Sequence, residues 1–201
     1  MGCTNLLLSA AVLLAFTAAV PADGLKIGAP APSFSNLDTT DGKTISLDDL
    51  KGKDVLVIVI TCNHCPVAGA HEDRLIAFAK KYCGEGNKIG LVAINVNNSP
   101  PDRLDKMKER AKEKGFNFPY AYDPSQKIAE QLGAVCTPEF WVFDKGRKLA
   151  YHGAFDDDWK GENVKEQYLI PAVEALLKGD RVKKTTTRAV GCGIEYQKAD
   201  K

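Results

Sequence analysis

The chain has 201 residues, of which 44% are apolar and 26% are charged, a mix typical of one globular domain. Lysine and arginine together number 27, and aspartate and glutamate number 26, so the net charge is close to zero. This balance excludes a global electric field that would favour nucleic acid or an anionic membrane.

Residues 6–20 form an uncharged run, LLLSAAVLLAFTAAV, unlike the rest of the chain. A membrane-spanning helix needs about 20 such residues, whereas the apolar region of a secretory signal needs about 7–15. Small residues at 17–19 and 20–22 offer cleavage sites. We therefore predict a signal peptide over residues 1–22, export to the periplasm or cell exterior, and no stable membrane anchor after cleavage. An uncleaved anchor is the alternative.

The mature domain is predicted over residues 25–179 and opens with a β-hairpin. Asp41-Gly42 is a turn pair between two strand-like runs at 34–40 and 43–47. Beyond the domain, residues 180–201 are polar and basic, and we expect them to form a tail that hugs or leaves the surface.

The next segment predicts a strand–helix–strand unit. Val55–Ile60 is a continuous apolar run, which suits a strand buried on both faces of a parallel sheet. Pro66 is well placed at the first position of a helix that ends near Gly84, and Ile89–Val96 is a second buried strand. The sequence Cys-Asn-His-Cys at 62–65 therefore falls at the first turn of a βαβ unit.

The second half of the chain carries three helical patterns and a second hairpin. The helices are predicted over Asp102–Lys114, from a capping box at Asp123–Gln126 to Leu132, and over Val164–Lys178. The charges of the first of these helices are expected to form a solvated face. Pro171 either kinks the last helix or marks its true start. The hairpin is predicted from Phe140–Phe143 and Lys148–Tyr151, which flank residues 144–146.

The C-x-x-C pattern at Cys62 and Cys65 is typical of a redox-active thiol pair. The spacing predicts Cys62 at the N-terminus of the helix and Cys65 about one turn inside, so that backbone N–H groups and the macrodipole favour a thiolate on Cys62. A protonated His64 between them would lower the pKa of Cys62 further and make it a better leaving group. We expect Cys62 to attack a partner disulfide and Cys65 to resolve the mixed disulfide.

Two other interpretations of this motif stay open at this point. An inert structural disulfide can use the same spacing. A metal site is the second alternative, because the two cysteines with His64 and His71 offer soft ligands. A closed zinc site usually needs a second ligand pair, and the sequence has no other C-x-x-C. We therefore predict neither a metal nor a cofactor.

With the C-x-x-C placed after a buried strand, the chain resembles the thioredoxin superfamily, and within it the AhpC/TSA, or redoxin, branch. The resemblance is to peroxiredoxin-like thioredoxin-family proteins, and it runs from about residue 25 to 196. The segments that carry it are Ile27–Phe34 (IGAPAPSF), Thr61–Pro66 (TCNHCP), Val135–Phe140 (VCTPEF) and Gly191–Gly193 (GCG). It implies an α/β thioredoxin fold, with a central mixed β-sheet flanked by helices and an N-terminal β-hairpin extension.

The resemblance also implies a partner-binding edge beside the cysteines. It places a cis peptide between Thr137 and Pro138, which exposes a backbone edge where a substrate strand can pair. Thr137 would then contact the partner, and Pro138 would keep a metal from bridging both thiols. We assign Thr61 and Asn63, which flank Cys62, to the same partner site.

The function expected from these residues is thiol–disulfide exchange with proteins or small thiols. A thiol-dependent peroxidase is the alternative, since an activated Cys62 can be oxidised to a sulfenate and resolved by Cys65. Peroxiredoxins place a threonine three residues before the peroxidatic cysteine, however, and here Thr61 lies one before Cys62. A non-catalytic metal-binding module is the second alternative.

Two further cysteines are candidates for accessory redox roles. Cys136 lies two residues before the implied cis-proline, and Cys192 lies between two glycines in the tail. We hypothesise a Cys136–Cys192 pair that pins the tail. Two independent idle thiols are the alternative. Cys83, at a helix end, is expected to be a core residue.

Overall fold

The computed structural model describes residues 24–84 and 86–197 of the chain. The predicted signal peptide, residues 1–22, lies outside them. Among the helices of the described residues, none combines the length and the apolar character that crossing a membrane requires.

A five-stranded mixed sheet with the order β5-β4-β3-β7-β8 lies at the centre of the fold. Strands β3, β4 and β5 are parallel, and β7 and β8 run antiparallel to their neighbours. The strands are β1 Leu37–Asp38, β2 Thr44–Ile45, β3 Val55–Thr61, β4 Ile89–Asn95, β5 Tyr120–Tyr122, β6 Cys136–Thr137, β7 Glu139–Phe143, β8 Leu149–Gly153 and β9 Cys192–Gly193. The α-helices are α1 Pro66–Tyr82, α2 Leu104–Lys114, α3 Lys127–Leu132 and α4 Leu169–Lys178. The predicted mixed sheet flanked by helices is confirmed.

The unbroken apolar runs of β3 and β4 are explained by helices on both faces of the sheet. Odd-numbered residues of β3 pack in one core with α1 and α4, and even-numbered residues pack in a second core with α3 and the N-terminal hairpin. Every residue of both strands is buried. Burying each large apolar side chain contributes about 1.5–3 kcal/mol, which makes this pair of strands the rigid base of the cysteine loop.

Both predicted hairpins are present. Strands β1 and β2 pair antiparallel across the Asp41-Gly42 turn, with Leu37 opposite Ile45. Strands β7 and β8 pair antiparallel on the other side of β3. The second hairpin therefore extends the sheet, and the first adds the N-terminal extension to the fold.

The three helices of the second half begin later than the sequence predicted. Helix α2 begins at Leu104, because residues 100–102 form a separate 3₁₀ turn in which Asp102 is fully buried. Helix α4 begins at Leu169, so Pro171 lies in its first turn, where a missing N–H costs no helical hydrogen bond. The predicted start at Val164 and the kink are therefore wrong, and the alternative that Pro171 marks the start is confirmed.

The predicted capping box at Asp123–Gln126 is a turn instead of a helix start. Gln126 has a left-handed backbone and precedes α3, which begins at Lys127. The Asp123 carboxylate accepts hydrogen bonds from the N–H groups of Ser125 and Ile128. Asp123 therefore caps α3 although it lies four residues before the first helical residue, Lys127.

Residues 180–197 follow the surface of the domain and are tied to it at several places. The backbone of His152 in β8 exchanges hydrogen bonds with Thr185 and Thr187. Further along, the Gln126 side chain donates to the carbonyl of Glu195 and accepts from the N–H of Gln197. Between these two attachments the tail crosses the end of the sheet and forms β9 against β6.

His71 supplies a pH-dependent contribution to stability. It lies on α1 with only 3% of its surface exposed, and burial lowers its pKa to about 4 from the ordinary 6.5. Between about pH 6.5 and pH 4, His71 is therefore protonated in the unfolded chain but neutral in the folded chain. The free energy of unfolding falls as the pH drops through this range. At pH 4 this one group removes up to about 3 kcal/mol from the free energy of unfolding.

We expect His71→Leu to flatten this part of the pH dependence. Urea unfolding between pH 7 and pH 4 measures it. A variant that keeps the slope of the wild-type protein would show that other groups cause it.

Candidate active site

The two cysteines lie between the end of β3 and the start of α1. Helix α1 begins at Pro66, so Cys65 is its N-cap residue, and its sulfur accepts a hydrogen bond from the N–H of Ala68 at 3.4 Å. Cys62 directly follows the last residue of β3, Thr61, and precedes the helix. The prediction of Cys62 at the helix N-terminus is wrong, because Pro66 sets the helix start one residue after Cys65.

Thr137 holds both sulfurs from the opposite strand. The Thr137–Pro138 peptide is cis, as the resemblance implied. The Cys62 sulfur lies 3.1 Å from the Thr137 hydroxyl, and the Cys65 thiol donates to the Thr137 carbonyl oxygen at 3.1 Å. The predicted residues Cys62, Cys65, Thr137 and Pro138 are therefore brought together at one end of the sheet.

Cys62 and Cys65 pack together with Ala68 in one buried cluster. Their mutual hydrogen bond raises the pKa of Cys62 and lowers that of Cys65, while burial raises both. Hydrogen bonds from Cys192 and from the N–H of Ala68 lower the pKa of Cys65 further. The contact with Cys62 is thus the main cause of the lowered pKa of Cys65, and the N–H of Ala68 in the first turn of α1 adds to it.

Asp102 is a buried acid beside the cysteine loop, residues 62–65. The sequence patterns did not predict its place in the site. Its carboxylate accepts from the backbone N–H of Asn63 at 2.7 Å and pairs with the His64 ring nitrogen Nδ1 at 2.5 Å. The Ser99 hydroxyl and the Asn95 amide also donate to it. A buried carboxylate needs such donors, and these donors fix the conformation of the cysteine loop.

The sequence signal for Asp102 was weak. It lies 37 residues after Cys65 in a segment rich in exposed charges, and only the preceding pair of prolines marks a break before α2. Nothing in the local pattern distinguishes this one carboxylate from the solvated ones.

Asn63, predicted to contact a partner, has both side-chain polar atoms engaged within the chain. Its amide donates to the Pro101 carbonyl at 2.9 Å, and its oxygen accepts from the Tyr120 hydroxyl at 2.9 Å. These contacts tie the loop to β5 and to the 3₁₀ turn. Thr61, the other flanking residue, is buried at the end of β3 opposite Asn95 of β4.

The ligand atoms of Cys62, His64 and Asp102 lie within 4.8 Å of one another. A thiol, an imidazole and a carboxylate at such distances can take part in proton transfer, with Asp102 orienting the imidazole through Nδ1. The same three groups are also a set that could hold a metal ion. Both carboxylate oxygens of Asp102 already accept hydrogen bonds within the protein, which favours the first use.

The two accessory cysteines are placed differently from each other. Both are free thiols. In the β6–β9 pairing, Thr137 lies opposite Cys192 and Cys136 lies opposite Gly193. Side chains alternate between the faces of a strand, so the two cysteines point to opposite faces, and the structure does not contain the hypothesised pair. Cys192 packs against the Cys62–Cys65 cluster instead.

The family model called Redoxin matches residues 26–168, well over half of the chain. The chain belongs to the Redoxin family. This redoxin is therefore a thioredoxin-like redox protein, as its motifs implied. No curated protein matches the chain.

Solved structures share the fold over nearly the whole chain. A hypothetical protein from Sinorhizobium meliloti 1021 is 34% identical with a TM-score of 0.79, covering 86% of this redoxin and 96% of its own chain. An uncharacterized conserved protein from Geobacillus kaustophilus is 33% identical with a TM-score of 0.80, covering 88% and 95%. The thioredoxin domain of a thiol-disulfide oxidoreductase from Bacteroides vulgatus, 16% identical with a TM-score of 0.56, covers 68% and 94% and shares the fold.

We expect Asp102→Asn to lower the pKa of Cys62. After the contact with Cys65 and burial, the Asp102 carboxylate is a further cause that raises this pKa. Removing its charge should move the midpoint for Cys62 alkylation by iodoacetamide down by about one pH unit. Rates are measured by mass spectrometry in a Cys65→Ser background, which leaves one thiol in the loop.

Asp105→Asn is the matched control, since Asp105 is exposed at the start of α2. It should leave the midpoint where it is. A midpoint that stays or rises in Asp102→Asn would contradict the electrostatic role of this acid.

Proposed function

We propose that this redoxin is a thiol–disulfide oxidoreductase that works through Cys62 and Cys65 on protein or small-molecule disulfides. The observation that carries the proposal is the joint contact of both sulfurs with Thr137, beside the cis-proline and at the start of α1. Two cysteines in a C-x-x-C motif that contact the same residue and pack in one cluster are placed to form a disulfide.

The chemistry follows from the groups around each sulfur. His64, held by Asp102, can take the proton of Cys62, whose sulfur then attacks one sulfur of a partner disulfide. The other partner sulfur leaves as a thiolate and is protonated. The Cys65 thiolate, stabilised by the helix N-terminus, then attacks the Cys62 sulfur of the mixed disulfide. The products are a Cys62–Cys65 disulfide and two partner thiols, so two electrons pass from the protein to the partner.

A peroxidase of the AhpC/TSA type is the alternative that the family itself supports. It requires a Cys62 thiolate that peroxide oxidises to a sulfenate. Three causes raise the pKa of Cys62: the contact with Cys65, burial and the Asp102 carboxylate. Each of them disfavours formation of the Cys62 thiolate. Disulfide exchange is favoured, because in it His64 needs to take the proton only as the attack occurs.

We expect Cys62→Ser to reduce the rate of insulin disulfide reduction by at least about 100-fold, because the attacking sulfur is lost. Cys65→Ser should instead accumulate a mixed disulfide on Cys62, seen by intact-mass measurement. Cys83→Ser is the control, since that thiol lies at the far end of α1 and burial raises its pKa to about 11. It should retain wild-type activity.

The reduction potential of the pair decides the direction of electron flow. A value near about −120 to −180 mV indicates an oxidant or isomerase, and one near about −270 mV indicates a reductant. A pair that forms no disulfide in any glutathione buffer would overturn the proposal. Stoichiometric metal in the purified protein, or Cys62-dependent turnover of peroxide, would then support one of the two alternatives.

We also propose that the chain is exported by its first 22 residues, because the uncharged run at residues 6–20 has the length of the apolar region of a secretory signal. Fractionation of cells that express the protein with and without residues 1–22 tests this. Equal amounts in the cytoplasmic fraction for both forms would contradict export.

A further inference from the structure

The chain's own tail occupies the edge beside the cis-proline. Strand β9 pairs antiparallel with β6, with Cys192 opposite Thr137, and the N–H of Ile194 donates to the carbonyl of Val135 at 3.2 Å. This is the backbone edge on which a partner strand is expected to pair. The tail therefore lies where the substrate of the proposed exchange reaction would bind.

The fit of the tail on this edge is close. A Cβ atom added to Gly191 would lie 2.1 Å from the Thr137 carbonyl oxygen and 3.2 Å from the Pro138 nitrogen. The same atom added to Gly193 would meet nothing within 4 Å. Only a glycine at 191 allows the tail backbone to approach the cis peptide this closely.

Cys192 faces the redox pair. Residues directly opposite in an antiparallel pair point to the same face, so the Cys192 side chain lies on the face of the Thr137 hydroxyl, which contacts Cys62. Cys192 packs against the buried cluster formed by Cys62, Cys65 and Ala68, and its proximity is one cause of the lowered pKa of Cys65. The three sulfurs therefore form one cluster.

Exposure orders the three thiols from inside to outside. Cys62 and Cys65 are 3% and 1% exposed, whereas Cys192 is half-buried. With the tail in place, an external thiol or disulfide reaches Cys192 before it reaches either member of the pair.

We propose that Cys192 is a third redox thiol that accepts the disulfide from the Cys62–Cys65 pair. The Cys192 sulfur attacks the Cys65 sulfur of the oxidised pair, the Cys65–Cys192 bond forms, and Cys62 leaves as a thiolate. The proton of Cys192 ends on Cys62, and no electrons enter or leave the chain. The Thr137 hydroxyl, 3.1 Å from Cys62, can donate a hydrogen bond to the departing thiolate. The proposal rests on the proposed function to the extent that the Cys62–Cys65 disulfide is its starting state.

The new bond has two consequences for the site. It returns Cys62 to the free form while the disulfide sits at the more exposed position, where an external reductant can reach it. It also ties β9 to α1 across the partner edge, so a bound partner and the Cys65–Cys192 bond exclude each other. Burial raises the pKa of Cys192 to about 11, so the rearrangement should accelerate as the pH rises towards that value.

Disulfide mapping of a Cys62→Ser variant tests the proposal directly. Trypsin cuts the chain so that Cys65 lies on the peptide 54–74, Cys192 on 189–198 and Cys136 on 128–145. After oxidation with diamide and acid quenching, we expect most molecules to carry the link between 54–74 and 189–198. A Cys62→Ser/Cys136→Ser variant should give the same yield. Free thiols at both positions, or a link to 128–145 instead, would overturn the proposal.

The glycine pair gives a second test that does not remove a thiol. In the Cys62→Ser background, Gly191→Ala should push the tail from the edge and lower the yield of the link by about fivefold or more, because disulfide geometry tolerates little displacement. Gly193→Ala should leave the yield within about twofold, since its Cβ meets open space. Equal yields in both variants would show that the seating of β9 does not control the bond.

Insulin reduction by the wild-type protein separates this proposal from the proposed function. If insulin reduction depends on Cys62 but the link between peptides 54–74 and 189–198 does not form, the exchange activity stands and the proposed role of Cys192 is rejected. If the link forms but insulin reduction does not depend on Cys62, the role of Cys192 as a third redox thiol is supported and the exchange activity is rejected.

Discussion

Thr137 is the residue on which the arrangement of the candidate site depends. Its hydroxyl contacts the Cys62 sulfur, its carbonyl accepts from the Cys65 thiol, and its backbone pairs with the strand that carries Cys192. Three segments far apart in sequence therefore meet at one peptide unit, whose cis link to Pro138 turns the edge of β6 towards the cysteines. A shift of this peptide would change the distances among all three sulfurs at once.

The cysteine loop in turn depends on a buried negative charge. Asp102 has no exposed surface, and such a carboxylate would cost several kcal/mol without donors. The backbone of Asn63, the ring of His64 and the side chains of Ser99 and Asn95 supply them. The donors that stabilise the charge are the atoms that set the course of the loop, so the electrostatics and the geometry of the site have one origin. The same charge also raises the pKa of Cys62.

These two constraints favour exchange reactions in which a proton moves together with the sulfur. The contact with Cys65 and burial raise the pKa of Cys62, and the contact with Cys62 lowers the pKa of Cys65. An imidazole held by a carboxylate lies beside Cys62, which provides a local proton acceptor. The tail adds a third sulfur, that of Cys192, on the solvent side of Cys62 and Cys65. Its strand β9 also covers the edge of β6 on which a partner would pair. In the proposed rearrangement, a disulfide to Cys192 therefore also limits the access of a partner to Cys62 and Cys65.

The sequence by itself determined the fold and the position of the candidate site. The apolar runs of β3 and β4, the C-x-x-C before Pro66 and the Thr-Pro motif at 137–138 were sufficient, because each follows from local periodicity or a short motif. Which cysteine lies at the N-cap of α1 was decided by the helix start, which pattern reading locates only to within a few residues. The role of Asp102 and the seating of Cys192 beside Cys65 were decided by tertiary structure alone. Both depend on which segments the sheet brings side by side, and no spacing along the chain encodes a contact between residues that lie 38 positions apart, as His64 and Asp102 do, or 127 positions apart, as Cys65 and Cys192 do.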